Sequence, residues 1–151
     1  MYNKLIMNDI KKYLSEYVRF IHDFEETLRD KLSLKEEDIY QEIYKININS
    51  NGTKNYKHGN IDGYEYHYHG AGCFIQKGDV RCDFDFVHYI DDLTYNFTSF
   101  ALKDFIDSYY HVDIDDDKLN EKLKELVKEG FLLPVIFGGR VWNSFLIKRY
   151  S

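Results

Sequence analysis

The alternating stretch at residues 73–86 constrains the fold more than any other part of the chain. It reads CFIQKGDVRCDFDF, and apolar and polar residues alternate on both sides of Lys77-Gly78-Asp79. A period of two is typical of strands that bury one face, and a glycine suits the tight turn between two such strands. We therefore predict an antiparallel hairpin of strands Cys73–Gln76 and Val80–His88, with its turn at either Lys77-Gly78 or Gly78-Asp79.

Both turn registers give this hairpin the same two faces, because directly opposed residues share a face. One face is apolar and suits a core: Cys73, Ile75, Val80, Cys82, Phe84 and Phe86. The other is mostly polar: Phe74, Gln76, Arg81, Asp83 and Asp85. Asp83 and Asp85 lie about 7 Å apart along one strand. They could pair with Arg81, bind a basic partner, or act on water or a metal.

A preceding strand, Tyr64–His69, decides whether a metal site is possible. Continued without a bulge, it places Tyr64, Tyr66 and Tyr68 on the aspartate face and both its histidines on the core face. A bulge at Gly70–Gly72 would reverse this and bring together four candidate ligands, namely His67, His69, Asp83 and Asp85. We expect the regular arrangement, in which histidines and aspartates point apart and no cofactor is bound.

The cysteines offer a second possible chemistry. Cys73 would need a neighbouring base to act as a nucleophile, and His69 is close in sequence. Because Cys73 and Cys82 both fall on the apolar face, we expect buried structural thiols instead. Two cysteines give no disulfide framework.

A long amphipathic helix is predicted at residues 4–32. Its apolar positions recur at steps of three and four: Ile6, Ile10, Tyr13, Leu14, Tyr17, Ile21, Phe24 and Leu28. Ser33 has capping-box spacing to Glu36, so a second helix is expected from Leu34 to about Lys45. The polar segment 49–62 reads as a loop that leads into the first strand.

Two further helices are predicted after the sheet, beyond a connection at Tyr89–Asn96. Thr98 or Ser99 caps the first, whose apolar residues are Phe100, Leu102, Phe105, Ile106 and Tyr109. Asp115 caps the second, which carries Leu119, Leu123, Leu126 and Val127 and ends before Gly130.

Residues 131–150 read as a closing hairpin about Gly138-Gly139. Pro134 favours a short or edge strand there. The chain shows no repeat and no linker. The prediction is therefore a single α+β domain over residues 1–151, with N-terminal helices, a central antiparallel sheet, two more helices and a C-terminal hairpin.

Charge and composition narrow the possible partners. The formal net charge is −6, which disfavours nucleic-acid binding and suits a basic protein partner. Aromatic residues make up 17% of the chain, and 14 tyrosines suit protein contacts. With neither a signal-peptide pattern nor a spanning apolar stretch, we expect a cytoplasmic protein that does not bind membranes.

The acidic run Asp113–Asp117 partly resembles a calcium-binding loop. The spacing of Asp113, Asp115 and Asp117 matches the first EF-hand ligands, but Lys118 and Lys124 occupy the positions that need glycine and glutamate. The acids Asp113, Asp115, Asp116 and Asp117 are therefore candidate partner contacts, as are Tyr66 and Tyr68.

The central motifs resemble those of a known group of proteins. Gly63-Tyr64, His69-Gly70-Ala71-Gly72-Cys73 and Asp83-Phe84-Asp85-Phe86 are similar to G-Y-x-[FY]-H-G-x-G-C followed by D-F-D-F in a family of small bacterial domains of unknown function. The resemblance covers roughly residues 5–147. Such domains look like companions of bacterial polymorphic toxins, so the resemblance implies an immunity-like role.

We expect an immunity protein that binds and neutralises a cognate toxin, with a nuclease as one candidate, and that is not an enzyme. Tyr64, His69, Gly70, Gly72, Cys73, Asp83 and Asp85 would then serve structure or binding. The alternative is a small metal-dependent or Cys/His hydrolase at the same motif. A plain interaction module that pairs through an edge strand such as 141–149 also stays open, as monomer or weak homodimer.

Overall fold

Three helices and six strands form the part of the chain that the computed structural model describes, residues 9–35, 57–68, 73–89, 92–133 and 144–148. The helices are α1 (Ile10–Leu32), α2 (Ser99–Tyr110) and α3 (Asp116–Lys128). The strands are β1 (Lys57–Ile61), β2 (Tyr64–Tyr68), β3 (Cys73–Lys77), β4 (Val80–Tyr89), β5 (Asp92–Thr98) and β6 (Ser144–Lys148). The strands form one antiparallel sheet in chain order, which confirms the α+β class.

Two strands lie where the sequence predicted none. β1 falls inside the segment 49–62, which was predicted to be a loop. Its mostly polar residues suit an edge strand, and among the described strands it pairs with β2 alone. Gly59 of β1 leaves room for the Tyr66 ring, since a Cβ there would lie 2.7 Å from the Tyr66 hydroxyl oxygen. β5 occupies much of the predicted connection Tyr89–Asn96, and its alternation of Leu93, Tyr95 and Phe97 with polar residues fits a strand.

The turn between β3 and β4 lies at Gly78-Asp79. Lys77 pairs with Val80, and Gly78 has a φ of +62°, which a glycine adopts without strain. The predicted helix start at Leu34 is wrong, because Ser33 has a φ of +55° and forms the C-cap of α1, and Leu34 and Lys35 lie outside any helix. The remainder of that predicted helix, up to Lys45, and the predicted turn at Gly138-Gly139 lie outside the described residues. The ends of that hairpin are described: Leu133 and Leu146 form an antiparallel bridge.

Helix α1 supplies much of the core. The predicted apolar face is buried from Ile10 to Leu28, and Tyr17, Ile21 and Phe24 have no solvent exposure. Phe24 packs against the rings of Tyr64 and Tyr66. The remaining buried residues come mainly from β2–β6, α2 and α3: Tyr64, Tyr68, Cys73, Ile75, Cys82, Phe84, Tyr95, Phe97, Leu102, Phe105, Ile106, Ile114, Leu119, Leu123, Leu126, Leu132, Phe145 and Ile147.

One buried residue of α1 is acidic and was not predicted in the core. Glu25 is 2% exposed, and the Tyr95 hydroxyl donates a hydrogen bond of 2.8 Å to its Oε1. A buried polar group needs such partners, because an unmatched one destabilises the fold. The contact ties α1 to the middle of β5.

The predicted helix ends are confirmed. The Thr98 side chain accepts a hydrogen bond from the Ala101 amide at 3.0 Å, and Asp115 Oδ1 accepts one from the Lys118 amide at 3.0 Å. Gly130, just past α3, has a φ of +81°. Among the described helices, none is long and apolar enough to cross a membrane.

The first half of β4 has an edge that none of the described strands covers. β4 pairs with β3 through Val80–Phe84 but with β5 only from Asp85 onward. Two side-chain hydroxyls take the place of β5. Ser108 of α2 accepts from the Arg81 amide at 3.1 Å, and its own proton has the Phe105 carbonyl at 3.0 Å as its nearer acceptor. The Tyr17 hydroxyl donates to the Asp83 carbonyl.

We predict that Ser108→Ala destabilises the protein by about 0.5–1.5 kcal/mol, because the Arg81 amide loses its side-chain acceptor. Urea unfolding measures the change. Ser15→Ala is the matched control, since the exposed Ser15 hydroxyl bonds only to the Lys11 carbonyl of its own helix. A loss no greater than in the control would contradict this account of the β4 edge.

Candidate functional site

A cavity opens where β4 and β5 separate. Their pairing ends at Asp85 and Asn96, after which β5 continues beside β6 and leads into α2. The cavity has a volume of about 390 Å³. It is lined by Cys73, Phe74, Arg81, Asp83, Phe84, Asp85, Asn96, Phe97, Thr98 and Ala101. The D-F-D motif therefore borders it together with the start of α2.

The charged groups of the cavity are held in fixed positions. Arg81 Nε lies 3.1 Å from Asp83 Oδ2, and its Nη2 lies 3.2 Å from Asp83 Oδ1. The Arg81 guanidinium also lies over the Phe74 ring, 4.2 Å from its centroid. Asp85 accepts a hydrogen bond from the Tyr68 hydroxyl at 3.3 Å. Such paired contacts pre-organise the side chains that line the site.

Asn96 adds an unmatched acceptor to the same cavity. Its amide Oδ1 is buried and has no hydrogen-bond partner among the described residues. A buried acceptor without a donor costs about 1–3 kcal/mol. Because this oxygen has almost no accessible surface, the cost is internal to the fold.

Acidic groups crowd the α2 side of the site. Burial, followed by the nearby charge of Asp83, raises the pKa of Asp104, and Asp107 acts in the same direction. Arg81 and Lys103 partly oppose this. The surface around the cavity therefore has a negative potential that attracts cations.

The outer face of the sheet carries a row of stacked groups across β1–β4. The His58 and His67 ring centroids lie 6.0 Å apart, those of His67 and Phe74 lie 4.7 Å apart, and Arg81 covers the far side of Phe74. His67 also lies 3.2 Å from Glu65. This face is partly exposed at each of these positions.

The predicted faces of β2 are wrong. Tyr68 pairs with Cys73 and His67 pairs with Phe74, so the tyrosines lie on the core face and His67 lies on the aspartate face. Four residues, 69–72, lie between Tyr68 and its partner Cys73. With an even number between them, an even-numbered residue of β2 shares a face with an odd-numbered residue of β3, whereas a continuous strand would keep even with even. The histidine and the aspartates thus share a face after all.

Sharing a face does not bring the predicted metal ligands together. Phe74 stands between His67 and Asp83, so the two lie two strands apart, about 9–10 Å at the backbone. No three His, Cys, Asp or Glu residues in the described part of the chain are placed to hold a metal ion. His69, Gly70 and Gly72 lie outside the described residues.

Burial also corrects the tyrosine contacts expected with a partner. Tyr64 and Tyr68 are 5% and 8% exposed, and Tyr66 is half-buried against Phe24 and Gly59. Tyr66 and Tyr68 therefore serve the core rather than a tyrosine-rich surface. Of the motif residues, Asp83 and Asp85 line the cavity with side chains that are only partly buried.

The cysteines lie diagonally across β3 and β4. Cys73 pairs with Phe84 and Cys82 pairs with Ile75, so the two cysteines are not directly opposed across the strands. Both thiols are free and buried. Burial raises the pKa of each well above its usual value, with Asp85 adding to the effect at Cys73.

The acids at Asp113–Asp117 form a separate exposed surface. Lys103 lies 3.6 Å from Asp113 and 2.9 Å from Asp116, Asp115 caps α3, and Asp117 is exposed. Part of their charge is thus neutralised. Their role as partner contacts stays a prediction.

Phe100 lies on the surface, although the sequence pattern groups it with the apolar residues of α2. It is 68% exposed, whereas Leu102, Phe105 and Ile106 are buried. The helical spacing alone predicts this exposure, because Phe100 lies about 200° around the helix from the buried Leu102. Phe100 adjoins Ala101, which lines the cavity.

We predict that Cys73 and Cys82 resist thiol reagents in the folded protein. Only the thiolate reacts, and burial both raises the pKa of each cysteine and blocks access. With Ellman's reagent at pH 8, the native chain should give no signal over the time in which the chain in guanidinium reacts at both thiols. Rapid labelling of native Cys73 would revive the nucleophile hypothesis.

Comparison with known proteins gives one match. A search of curated proteins and a search of solved structures each found no match. The family model described as "Domain of unknown function (DUF6896)" matches residues 10–146, which include every described element from α1 to the middle of β6. The chain therefore belongs to the DUF6896 family.

Proposed function

We propose that this chain is an immunity protein that binds a cognate bacterial toxin domain in the cytoplasm and neutralises it. The partner would be a basic protein such as a nuclease, blocked at its active site or at its access to substrate. One observation carries the proposal: Asp83 and Asp85 line a cavity together with Ala101, whose chain neighbour Phe100 has an exposed aromatic ring.

Charge supports this choice of partner. Nuclease clefts are basic because they bind phosphates, and an acidic protein surface can occupy such a cleft. The chain has a net charge of −6, and Asp104 and Asp107 extend the negative charge of the cavity along α2. Long-range attraction of this kind speeds association with a basic partner.

Rigidity also supports a binding role. The cavity walls come from strands and a helix start, and Arg81 is fixed by Asp83 and Phe74. A pre-organised surface loses less conformational entropy when it binds, so more of the contact energy appears as affinity. Phe100, with its ring outside the core, has the character of an interface anchor.

The hydrolase alternative has weaker support. A cysteine nucleophile needs an accessible thiolate, whereas burial keeps Cys73 as a thiol. A metal centre would need ligands that converge, and the Phe74 ring separates His67 from Asp83. The binding role uses the same motif without either requirement.

Co-expression tests the proposed function directly. We expect this chain to rescue cell growth when it is produced with the toxic product of the neighbouring gene, and to co-purify with it. Rescue without co-purification would contradict neutralisation by binding. A neighbouring product that is neither toxic nor bound would overturn the proposal.

We predict that Phe100→Ala weakens binding of the neighbouring gene product by about 2 kcal/mol or more, as loss of an interface anchor does. Stability should change by less than about 0.5 kcal/mol, because the ring is 68% exposed. Calorimetry measures the first quantity and urea unfolding the second. Leu32→Ala, at an apolar side chain 48% exposed at the end of α1, is the control and should bind like the unchanged chain.

A further inference from the structure

Arg81 is the basic residue among those that line the cavity, and its side chain is held from two sides. Its Nε and Nη2 lie 3.1 and 3.2 Å from the two carboxylate oxygens of Asp83, and its guanidinium lies over the Phe74 ring. His67 stacks on the same Phe74 ring, and the Ser108 hydroxyl accepts from the Arg81 amide. An arginine fixed in this way loses little conformational entropy when it binds a further group.

One edge of this guanidinium has no acceptor among the described residues. A guanidinium has five N–H donors, and they include two parallel pairs, one on Nε and Nη2 and the other on Nη1 and Nη2. Asp83 occupies the first pair, and the described part of the chain offers Nη1 no hydrogen-bond partner. Because the Arg81 side chain is 47% exposed, it is accessible to a group from outside.

The free edge has the shape of a carboxylate site. Two parallel N–H groups match two acceptor oxygens, so arginine binds carboxylates and phosphates through paired bonds. The nearby charges of Asp83 and Asp104 act on Arg81, and together with the net charge of −6 they disfavour a polyanion such as nucleic acid. A single carboxylate on an otherwise basic protein surface fits better, because its basic neighbours would face these aspartates.

The active site of a nuclease has this mixed composition. Carboxylates that bind metal ions lie within a cleft whose basic groups bind phosphates. A carboxylate in such a cleft is therefore surrounded by the charges that complement Asp83 and Asp104.

We propose that Arg81 determines the specificity of binding, and that its Nη1 and Nη2 donate to an Asp or Glu carboxylate of the bound protein. This inference rests on the proposed function for the identity of that protein, which is the toxin domain. It also reverses an expectation from charge alone. Attraction between an acidic surface and a basic partner would make any cation on this surface unfavourable, whereas here the cation of Arg81 favours binding.

Two variants that each remove one positive charge test this reversal. Arg81→Gln should weaken binding of the neighbouring gene product by about 10-fold or more, because a charge-assisted pair of hydrogen bonds is lost. Lys103→Gln is the matched control, since Lys103 pairs with the exposed Asp113 and Asp116 and its charge acts on Asp104. It should leave binding unchanged or strengthen it by up to about 3-fold, because only long-range attraction changes.

Arg81→Lys separates the paired hydrogen bonds from the charge. A lysine keeps the charge but lacks the planar fork, so this variant should weaken binding nearly as much as Arg81→Gln. Calorimetry measures binding, and urea unfolding of each variant confirms that the fold is retained.

Double-mutant cycles identify the carboxylate. Each Asp and Glu of the neighbouring gene product is replaced by Ala and measured against the unchanged chain and against Arg81→Gln. We expect one replacement that weakens binding by about 10-fold or more to the unchanged chain but by less than about 2-fold to Arg81→Gln. If no carboxylate is coupled to Arg81, the contact is wrong.

A peptide titration tests Arg81 without the toxin. The side-chain N–H signals of the ¹⁵N-labelled full chain are followed by NMR during addition of acetyl-Gly-Asp-Gly-amide at constant ionic strength. Arg19 is the internal reference, because it is exposed and has no hydrogen bond or ion pair among the described residues. We expect a larger shift at Arg81 than at Arg19, and a smaller shift at Arg81 with acetyl-Gly-Asn-Gly-amide.

The outcomes separate this inference from the proposed function. If the neighbouring product binds and Arg81→Gln leaves binding unchanged or strengthens it, the Arg81 contact is wrong and the immunity role stands. If the product does not bind but the Asp peptide shifts Arg81 more than Arg19, the carboxylate site stands and the toxin partner is wrong. Equal shifts at the two arginines, or equal shifts with the two peptides, overturn the site.

Discussion

The uncovered half of the β4 edge is the constraint on which the rest of the structure depends. A strand edge left open invites pairing with another chain, and a buried one must have its amides and carbonyls matched. Here α1 and α2 each send one hydroxyl, from Tyr17 and Ser108, to satisfy backbone groups of β4. β5 therefore does not need to pair with β4 beyond Asn96, and the cavity lies where the two strands separate.

Elements with strong local patterns were predictable from the sequence. The face of α1, the caps at Thr98 and Asp115, and the inward residues of β3 and β4 all follow from spacing and side-chain chemistry that act within a few residues. β1 was missed for the opposite reason, because its residues are mostly polar and its strand depends on pairing with β2. β5 does carry a local strand pattern that the prediction overlooked, since Leu93, Tyr95 and Phe97 alternate with polar residues and Tyr95 and Phe97 are buried.

The faces of β2 show the limit of parity arguments. Within one strand the alternation of faces is fixed, but across a hairpin it depends on whether the connection has an odd or an even number of residues. The sequence Gly70-Ala71-Gly72 is compatible with a connection of either an odd or an even number of residues. The four-residue separation turned Tyr64 and Tyr68 inward and His67 outward, so the expected tyrosine surface became core. The cavity itself required knowing where β4 and β5 separate, which no local pattern encodes.

The energetics of the cavity walls are a balance of opposing contributions. Asn96 keeps a buried Oδ1 without a partner among the described residues, and a buried acceptor without a donor costs about 1–3 kcal/mol. Burial, followed by the nearby charge of Asp83, raises the pKa of Asp104, so this carboxylate also carries a cost. The contacts of Arg81 with Asp83 and Phe74, and the hydrogen bond of the Arg81 amide to the Ser108 hydroxyl, act in the opposite direction. The walls of the cavity are therefore stabilised by the same contacts that join β3, β4 and α2.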